Sequence, residues 1–271
     1  MLSDPWIAAL VALFLWWFCT GVILLVVQLS ARASARSGLA VVFTTAPVFG
    51  LGGWVAWTSA HSMTPGGVYH GFLAALALWG WVELAFLTGV IAGPNRRPCR
   101  DGVPEWERFV RAWGTIAYHE MLLAAVALVL VLTLWDAPNP FAALTFGVLY
   151  VARLSAKVNL FWGVPKINTE FLTPALAHLP GHFRRGRPGF WFAFSVAALA
   201  ALTAFWTLSA IGTEIVHLRV GFALLAAMTG LAVLEHAFMV MRLPDEKLWR
   251  WMLPASRTNL RKTTTEDAHG L

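Results

Sequence analysis

Long apolar runs separated by short polar stretches dominate the hydrophobicity pattern of this chain. Seven of the runs are long enough for a membrane-spanning helix, which needs roughly 18 or more apolar residues. They lie at about residues 5–29, 38–59, 67–92, 112–134, 141–163, 190–212 and 217–241. The pattern predicts an all-α, polytopic membrane protein with a seven-helix transmembrane domain in residues 1–253. The polar segment 254–271 has the composition of a disordered cytoplasmic tail.

Composition supports a membrane protein and changes little else. Hydrophobic residues make up 58% of the 271 residues and charged residues only 13%, which a soluble domain of this length does not show. The net charge of +6 comes from short loops between the apolar runs, so it does not indicate nucleic-acid binding. The first run is too long for the apolar core of a signal peptide, and no Lys or Arg precedes it, so we expect an uncleaved helix. Cys19 lies in a predicted span and Cys99 in a loop, so we expect no disulfide between them.

The basic residues alternate between the two sides of the predicted bundle. The first, third and fifth loops contain two, five and four Lys or Arg residues, whereas the second and fourth contain none and the sixth contains only Arg219. Six more lie from Arg242 to the C-terminus. Since positive loops stay in the cytoplasm, the N-terminus is predicted to be periplasmic and the C-terminus cytoplasmic.

Charged and imidazole side chains inside the spans are the main candidates for function. Arg153 and Lys157 are one helical turn apart, so both point to the same face of the fifth helix. Each charge near the bilayer centre costs roughly 3 kcal/mol, so such residues normally face a protein interior and find partners. At a rise of about 1.5 Å per residue, the polar residues of the spans fall in one layer roughly 9–15 Å from the cytoplasmic boundary. Seven residues lie in this layer: Glu83, His119, Glu120, Arg153, Lys157, Glu235 and His236; the predicted network also includes Asn159, nearer the helix end. Within the network we expect Arg153 to pair with Glu120, so that Glu120→Gln rescues part of the loss caused by Arg153→Ala.

Several roles fit this layer. It is a structural clamp if it only fixes the order of the helices, and it is a proton relay or an ion site if the protein is a transporter. His119 or His236 is also a candidate axial ligand for a chlorin magnesium. The layer alternatively lines a lipid-exposed cleft that holds a tetrapyrrole or a quinone. The sequence has no complete catalytic or metal-binding signature: HExxH is absent, and adjacent His-Glu pairs point apart on a helix.

Two loops on the predicted cytoplasmic side are candidates for contact with lipid or a partner. Their basic residues are Arg96, Arg97, Lys166, Arg184, Arg185 and Arg187. A helix start is predicted near Pro104-Glu105. Thr173-Pro174 is a typical N-cap and N1 pair, and the apolar piece that ends at Pro180-Gly181 is expected to lie in the membrane interface.

A series of motifs in a fixed order makes the chain similar to a known family. The motifs are Trp16-Trp17 with Thr20-Gly21, Gly93-Pro94 with Arg96 and Cys99, Tyr118-His119-Glu120, Arg153 with Ser155, Lys157 and Asn159, Gly163-Val164-Pro165, and Glu170-Phe171-Leu172. Over about residues 5–242 they resemble the PuhE family, photosynthetic complex assembly proteins of purple bacteria. The chain departs from the family pattern at Lys166 and at Thr173-Pro174, which leaves the role of that loop open.

The resemblance implies a protein of the inner membrane of phototrophic bacteria. It implies an association with reaction-centre and light-harvesting assembly and with bacteriochlorophyll supply, with membrane lipids, complex subunits or other assembly factors as partners. It implies no catalytic activity, and bacteriochlorophyll is the candidate ligand. The alternatives from the residues themselves are an intramembrane enzyme that uses His119 and Glu120 and a proton-coupled transporter.

The topology prediction is testable with reporter fusions at Gly66, Asn139 and Leu271. We expect the first two reporters to be periplasmic and the third to be cytoplasmic, because the loops that contain Gly66 and Asn139 lack Lys and Arg. A cytoplasmic reporter at Asn139 would overturn both the orientation and the depth argument for the polar layer.

Overall fold

The computed structural model describes residues 2–34, 37–100, 102–167, 169 and 172–241. Seven of its helices are long and apolar enough to cross a membrane: α1 (Pro5–Ala33), α2 (Ser37–Ser59), α3 (Pro65–Leu87), α4 (Glu105–Thr133), α5 (Phe141–Trp162), α6 (Phe190–Gly212) and α7 (Val216–Phe238). Within the described ranges the only β pairing is an isolated bridge between Val164 and Arg185. The prediction of an all-helical chain with seven spans is therefore confirmed. The predicted tail 254–271 and the motif residues Glu170 and Phe171 lie outside the described residues.

Two helix ends differ from the predicted boundaries for local reasons. α3 ends at Leu87 instead of near residue 92, because Thr88 caps the helix and Gly89 adopts a φ of 79°, a left-handed conformation that stops an α-helix. α4 begins at Glu105, next to the predicted start at Pro104, so it extends beyond its apolar run by an amphipathic first section. Glu105 and Glu107 in this first turn interact favourably with the positive end of the helix dipole.

The helices differ in how much of their surface the protein covers. α3 and α7 are the most buried, and the apolar side chains on the inner faces of α1, α3, α5 and α7 form the main core. α2 packs on α3, and α6 packs on α7. Large apolar side chains on the outer faces of α2, α4 and α6 remain exposed, among them Trp54, Leu132 and Leu208. A polytopic helical protein in lipid has this distribution, and the chain is a multi-pass membrane protein.

One end of the bundle is closed by two long loops. We call it the basic end: it contains the ends of α3, α5 and α7, the starts of α4 and α6, and the loops 88–104 and 163–189. Two short 3₁₀ helices, Pro174–Leu176 and Leu179–His182, lie in the second loop. Leu176 and Leu179 are buried against Phe86 and Ile116. The apolar side chains of this segment therefore pack into the bundle, and its position in the membrane interface stays a prediction.

Thr173 and Arg108 tie this loop to the helices. The Thr173 hydroxyl donates to the carbonyl oxygen of Leu87 at the end of α3 (2.8 Å), so it binds α3 instead of capping its own 3₁₀ helix. Arg108 donates to the carbonyl oxygens of Phe161 (2.9 Å) and His182 (3.2 Å) and lies over the Phe161 ring at 3.7 Å. A single guanidinium thus holds α4, the end of α5 and the loop together.

His182 gives this closure a pH dependence. Its Nε2 lies 3.1 Å from the carbonyl oxygen of Arg97, and it is 2% exposed. Burial lowers the pKa of this imidazole below its usual range, although the hydrogen bond to Arg97 opposes the shift. The unfolded chain, with a His pKa of about 6.5, then binds the proton more readily than the folded chain does. The stability due to neutral His182 is present above about pH 6.5 and is lost as the pH falls below it.

We therefore expect His182→Gln, which keeps an amide donor at the same place, to weaken the loss of thermal stability between about pH 7.5 and 5.5. The measurement is the unfolding temperature of the purified protein in detergent across this range. His61→Gln is the matched control, since His61 is exposed. Equal slopes for the wild type and His182→Gln would show that protonation of His182 does not open the loop.

Candidate functional site

Glu83, one turn before the end of α3, forms an ion pair with Arg153 in the middle of α5. Arg153 Nη2 donates to Glu83 Oε2 at 3.1 Å. The Glu83 side chain is 8% exposed, whereas that of Arg153 is 41% exposed because it borders two clefts. The carboxylate is therefore the buried partner, and it depends on the guanidinium for neutralisation.

Lys157 and Glu120 form a second pair, one helical turn nearer the basic end. The Lys157 ammonium donates to Glu120 Oε1, which joins α5 to α4. Both side chains are shielded, at 15% and 2% exposed. Arg153 and Lys157 lie on one face of α5, as their i,i+4 spacing requires. Arg153 reaches α3 from this face, and Lys157 reaches α4.

His119 lies between the two carboxylates. Its Nε2 is 3.7 Å from Glu83 Oε1 and 3.9 Å from Glu120 Oε1, and the residue is fully buried. Its ring packs on Phe86 with centroids 4.3 Å apart, and its backbone N–H donates to the carbonyl oxygen of Ala92. The structure thereby joins the two ion pairs into one group, which we call the charge cluster: Glu83, His119, Glu120, Arg153 and Lys157.

Close packing of the loop after α3 on α4 sets the position of His119. A Cβ on Gly93 would lie 2.1 Å from the carbonyl oxygen of Gly114, so only glycine permits this approach. Asn95 then donates from its backbone N–H to Gly114 (3.0 Å) and from its side chain to the Arg111 carbonyl oxygen (2.9 Å). The Gly93-Pro94 motif therefore serves packing at the level just before His119.

Glu235 and His236 on α7 point to different surroundings, as adjacent helical residues do. Glu235 accepts a hydrogen bond from the Trp16 side chain of α1 and lies close enough to Arg153 to interact electrostatically. His236 is fully buried, with Nδ1 2.8 Å from the Ala232 carbonyl oxygen and Nε2 2.7 Å from the Ser155 hydroxyl. Glu235 thus extends the charge cluster, whereas His236 links α7 to α5 through a neutral contact.

Asn159 lies apart from the charge cluster, although the sequence placed it in the network. Its side-chain amide donates to the Ser195 hydroxyl of α6 at 3.1 Å, and Ser195 donates to the Trp191 carbonyl oxygen. The prediction fails for Asn159 because this residue, two positions after Lys157, lies on a different face of α5. Its role in this structure is to join α5 to α6.

The basic loop residues have unequal surroundings. Arg96 donates to the Gly89 carbonyl oxygen (3.0 Å), and Arg184 pairs with Glu105 (3.1 Å). The backbone N–H of Lys166 donates to the Met239 carbonyl oxygen at the end of α7. Arg97, Arg185 and Arg187 are exposed at the basic end. Contact of these residues with lipid or a partner remains a prediction.

Two clefts border the charge cluster. The inner cleft, about 320 Å³, lies among α1, α3, α5 and α7, and the outer cleft, about 470 Å³, lies towards the basic end between α4, α5 and α7. Both volumes fall in the range of ligand sites, roughly 300–1,000 Å³. Trp113 and Trp162, which line the outer cleft, are each 44% exposed. The outer cleft is therefore open to the surroundings of the bundle.

Sequence reasoning missed two partners, Trp16 and Ser155. The order of residues around Trp16-Trp17 does not indicate that the Trp16 side chain reaches Glu235 of α7. Ser155 lies on neither of the two clefts, and its hydroxyl contacts His236 Nε2. Among the described residues, no group of three His, Cys, Asp or Glu side chains is arranged to hold a metal ion.

Comparison with known proteins identifies relatives without a described activity. The model of a family described as "Protein of unknown function (DUF3623)" matches residues 2–260. A protein of Rhodobacter capsulatus, named "Uncharacterized 30.4 kDa protein in puhA 5'region", is 42% identical over 255 residues, which cover 94% of this chain and 93% of that protein. No solved structure matches.

Because Arg153 pairs with Glu83, the substitution that should compensate for the loss of Arg153 differs from the one expected from sequence. Sequence reasoning pairs Arg153 with Glu120, but Glu120 belongs to Lys157. We expect Arg153→Ala to cost about 3 kcal/mol of unfolding free energy, at the low end for a broken buried pair because Arg153 is partly exposed. Glu83→Gln should restore part of this loss by removing the unpaired charge, whereas Glu120→Gln should not.

The measurement is thermal unfolding of the single and double variants in detergent. Arg185→Ala is the control and should stay within about 0.5 kcal/mol of wild type, since its side chain is exposed. If Arg153→Ala were as stable as wild type, the charge cluster would not clamp α3 to α5.

Proposed function

Because the chain belongs to the DUF3623 family, whose description assigns no activity, we propose a function from the site and from the relative's genetic position. The protein is a non-catalytic assembly factor for bacterial photosynthetic complexes. It holds a hydrophobic ligand in the outer cleft, for which bacteriochlorophyll is the first candidate. The relative's name places it in the puhA 5′ region, a photosynthesis gene region. The resemblance to the PuhE family supports the same process.

The outer cleft is the observation that carries the proposal. Its wall combines aromatic side chains, including Phe109, Trp113 and Phe161, with the cations of the charge cluster at its base. It is reached from the lipid side, which is where a water-insoluble pigment or quinone travels. A cleft with this lining suits the binding of a flat, apolar molecule better than it suits chemistry on a polar substrate.

The exposed arginines of the basic end fit the second part of the proposal, contact with a client complex. With the N-terminus in the periplasm, the basic end faces the cytoplasm of the inner membrane. Arg97, Arg185 and Arg187 then lie where acidic cytoplasmic segments of reaction-centre or light-harvesting subunits, or anionic lipid headgroups, reach them.

His119 supports a second candidate, proton-coupled transport. A fully buried imidazole within 4 Å of two carboxylates is an arrangement that relays protons. Flux in proteoliposomes that depends on a proton gradient would favour this function.

The proposal predicts the phenotype of a gene deletion in the phototrophic host. We expect pigment intermediates to remain at normal levels and the yield of assembled photosynthetic complexes to fall, because the protein acts after pigment synthesis. Absorption spectra of membranes and chromatography of extracted pigments measure the two quantities. Complementation with the wild-type gene is the control. An accumulated pigment precursor would instead indicate an enzyme, and unchanged complexes would remove the proposed role.

A further inference from the structure

The inner and outer clefts meet at a shared boundary. Four residues line both: Trp16 of α1, Arg153 of α5, Glu235 of α7 and Leu172 of the loop before α6. We call this boundary the junction. Three of the four are joined to one another or to Glu83 by hydrogen bonds or electrostatic contact. A single ligand that passes the junction would therefore occupy both clefts.

The inner cleft suits a hydrocarbon chain. Away from the junction its wall is almost wholly aliphatic or aromatic, with Ile23, Leu76, Val148 and Met228 as typical members. Its ionisable and hydroxyl or thiol side chains are Arg153 and Glu235 at the junction, Glu83 next to Arg153, and Thr20 and the free thiol of Cys19 on α1. A hydrocarbon tail that enters from the junction would exchange its contacts with lipid chains for contacts with apolar side chains.

The outer cleft suits a planar head group. Phe86, Phe109, Trp113 and Phe161 supply ring faces and edges around it. Aromatic rings prefer offset or edge-to-face contacts with other flat systems. Entry from the lipid side past Trp162 also allows a head group to arrive without crossing water.

The charges at the junction favour an uncharged head group. The charge cluster already pairs Arg153 with Glu83 and Lys157 with Glu120. Glu235 adds a carboxyl group at the junction, and in its ionised form it repels a carboxylate or phosphate on the ligand. Arg153 still has N–H groups that face the clefts, since its side chain is 41% exposed, and these can donate to a carbonyl oxygen.

We propose that the two clefts form one bent site for an uncharged amphiphile with a planar, carbonyl-bearing head and a long hydrocarbon tail. The head lies in the outer cleft with a carbonyl group at Arg153, and the tail passes Trp16 and Glu235 into the inner cleft. Quinones and esterified tetrapyrroles share this chemistry. The inference deepens the proposed function and rests on it for the ligand's role in the cell.

The first test is binding of a decyl-tailed benzoquinone to the purified full-length protein in nanodiscs of neutral lipid. We expect a saturable quenching of tryptophan fluorescence, because Trp16, Trp113 and Trp162 line the site. Ala152→Leu, which fills the inner cleft, should weaken binding by about ten-fold or more. Ala204→Leu is the matched control on the exposed surface of α6 and should leave binding unchanged. Equal binding by both variants would overturn the assignment of the tail.

A crosslinking experiment on the wild-type chain checks the same point without a variant. A benzoquinone with a diazirine at the end of its tail should label the inner-cleft segments 19–24 and 228–232. Labelling confined to the outward faces of α2 and α6 would show that the probe only dissolves in the lipid. Bacteriochlorophyll as a competitor distinguishes the two sources: displacement of the quinone indicates that the site accepts the pigment, and failure to displace it restricts the site to quinones.

The preference for an uncharged head group is tested with decanoate, an anionic probe of similar tail length. We expect decanoate to compete with the benzoquinone at least about ten-fold more weakly in the wild type than in Glu235→Gln, where the repelling carboxylate is removed. Equally strong competition in both proteins would overturn the preference for an uncharged head.

These outcomes separate the inference from the proposed function. Saturable quinone binding, together with a normal yield of photosynthetic complexes in the deletion strain, would support the binding site and contradict the role in assembly. Loss of complexes in the deletion strain without binding of either quinone or pigment would keep the assembly role and overturn the site.

Discussion

Neutralisation of buried charge inside the membrane is the constraint on which the rest of this structure depends. Glu83 and Glu120 are almost completely shielded, and no solvent is at hand to stabilise their charge. Each needs a cation in contact, and both cations come from one face of α5. That requirement fixes the rotation of α5 and holds α3 and α4 against it. Apolar contacts alone would specify these positions less strongly, because lipid tails solvate an apolar helix face nearly as well as another helix does.

The closure of the basic end follows from the same arrangement. α3 stops at Leu87, only one turn beyond the level of Glu83, and the chain turns back to pack Gly93 on α4 just before His119. The ends of α3 and α5 then leave carbonyl groups that need donors inside the protein. Thr173 and Arg108 supply them. The loop with Leu176 and Leu179 is therefore part of the packed interior at the basic end, and it forms one wall of the outer cleft.

Sequence alone predicted which charged residues come together, but it did not predict how each helix is rotated about its axis. The number of spans follows from hydropathy, and the level of Glu83, His119, Glu120, Arg153 and Lys157 follows from counting residues from the helix ends. Which carboxylate meets which cation depends on helix packing, so the sequence assigned Arg153 to Glu120 where the structure has Glu83. Asn159 shows the same limit, since it lies on the same helix as the two cations but its side chain contacts α6. The buried loop 174–182 was missed because its short apolar pattern suits the membrane interface as well as a protein core.

The third carboxyl group favours the proposed binding site over a simple clamp. A clamp needs only pairs, and Glu83 with Arg153 and Glu120 with Lys157 complete two. Glu235 is additional, and placing it near Arg153 costs desolvation that a glutamine or leucine at the same position would avoid. It contacts Trp16 and lines both clefts. The desolvation cost of Glu235 at the junction is better explained by binding of a ligand there than by the packing of the helices.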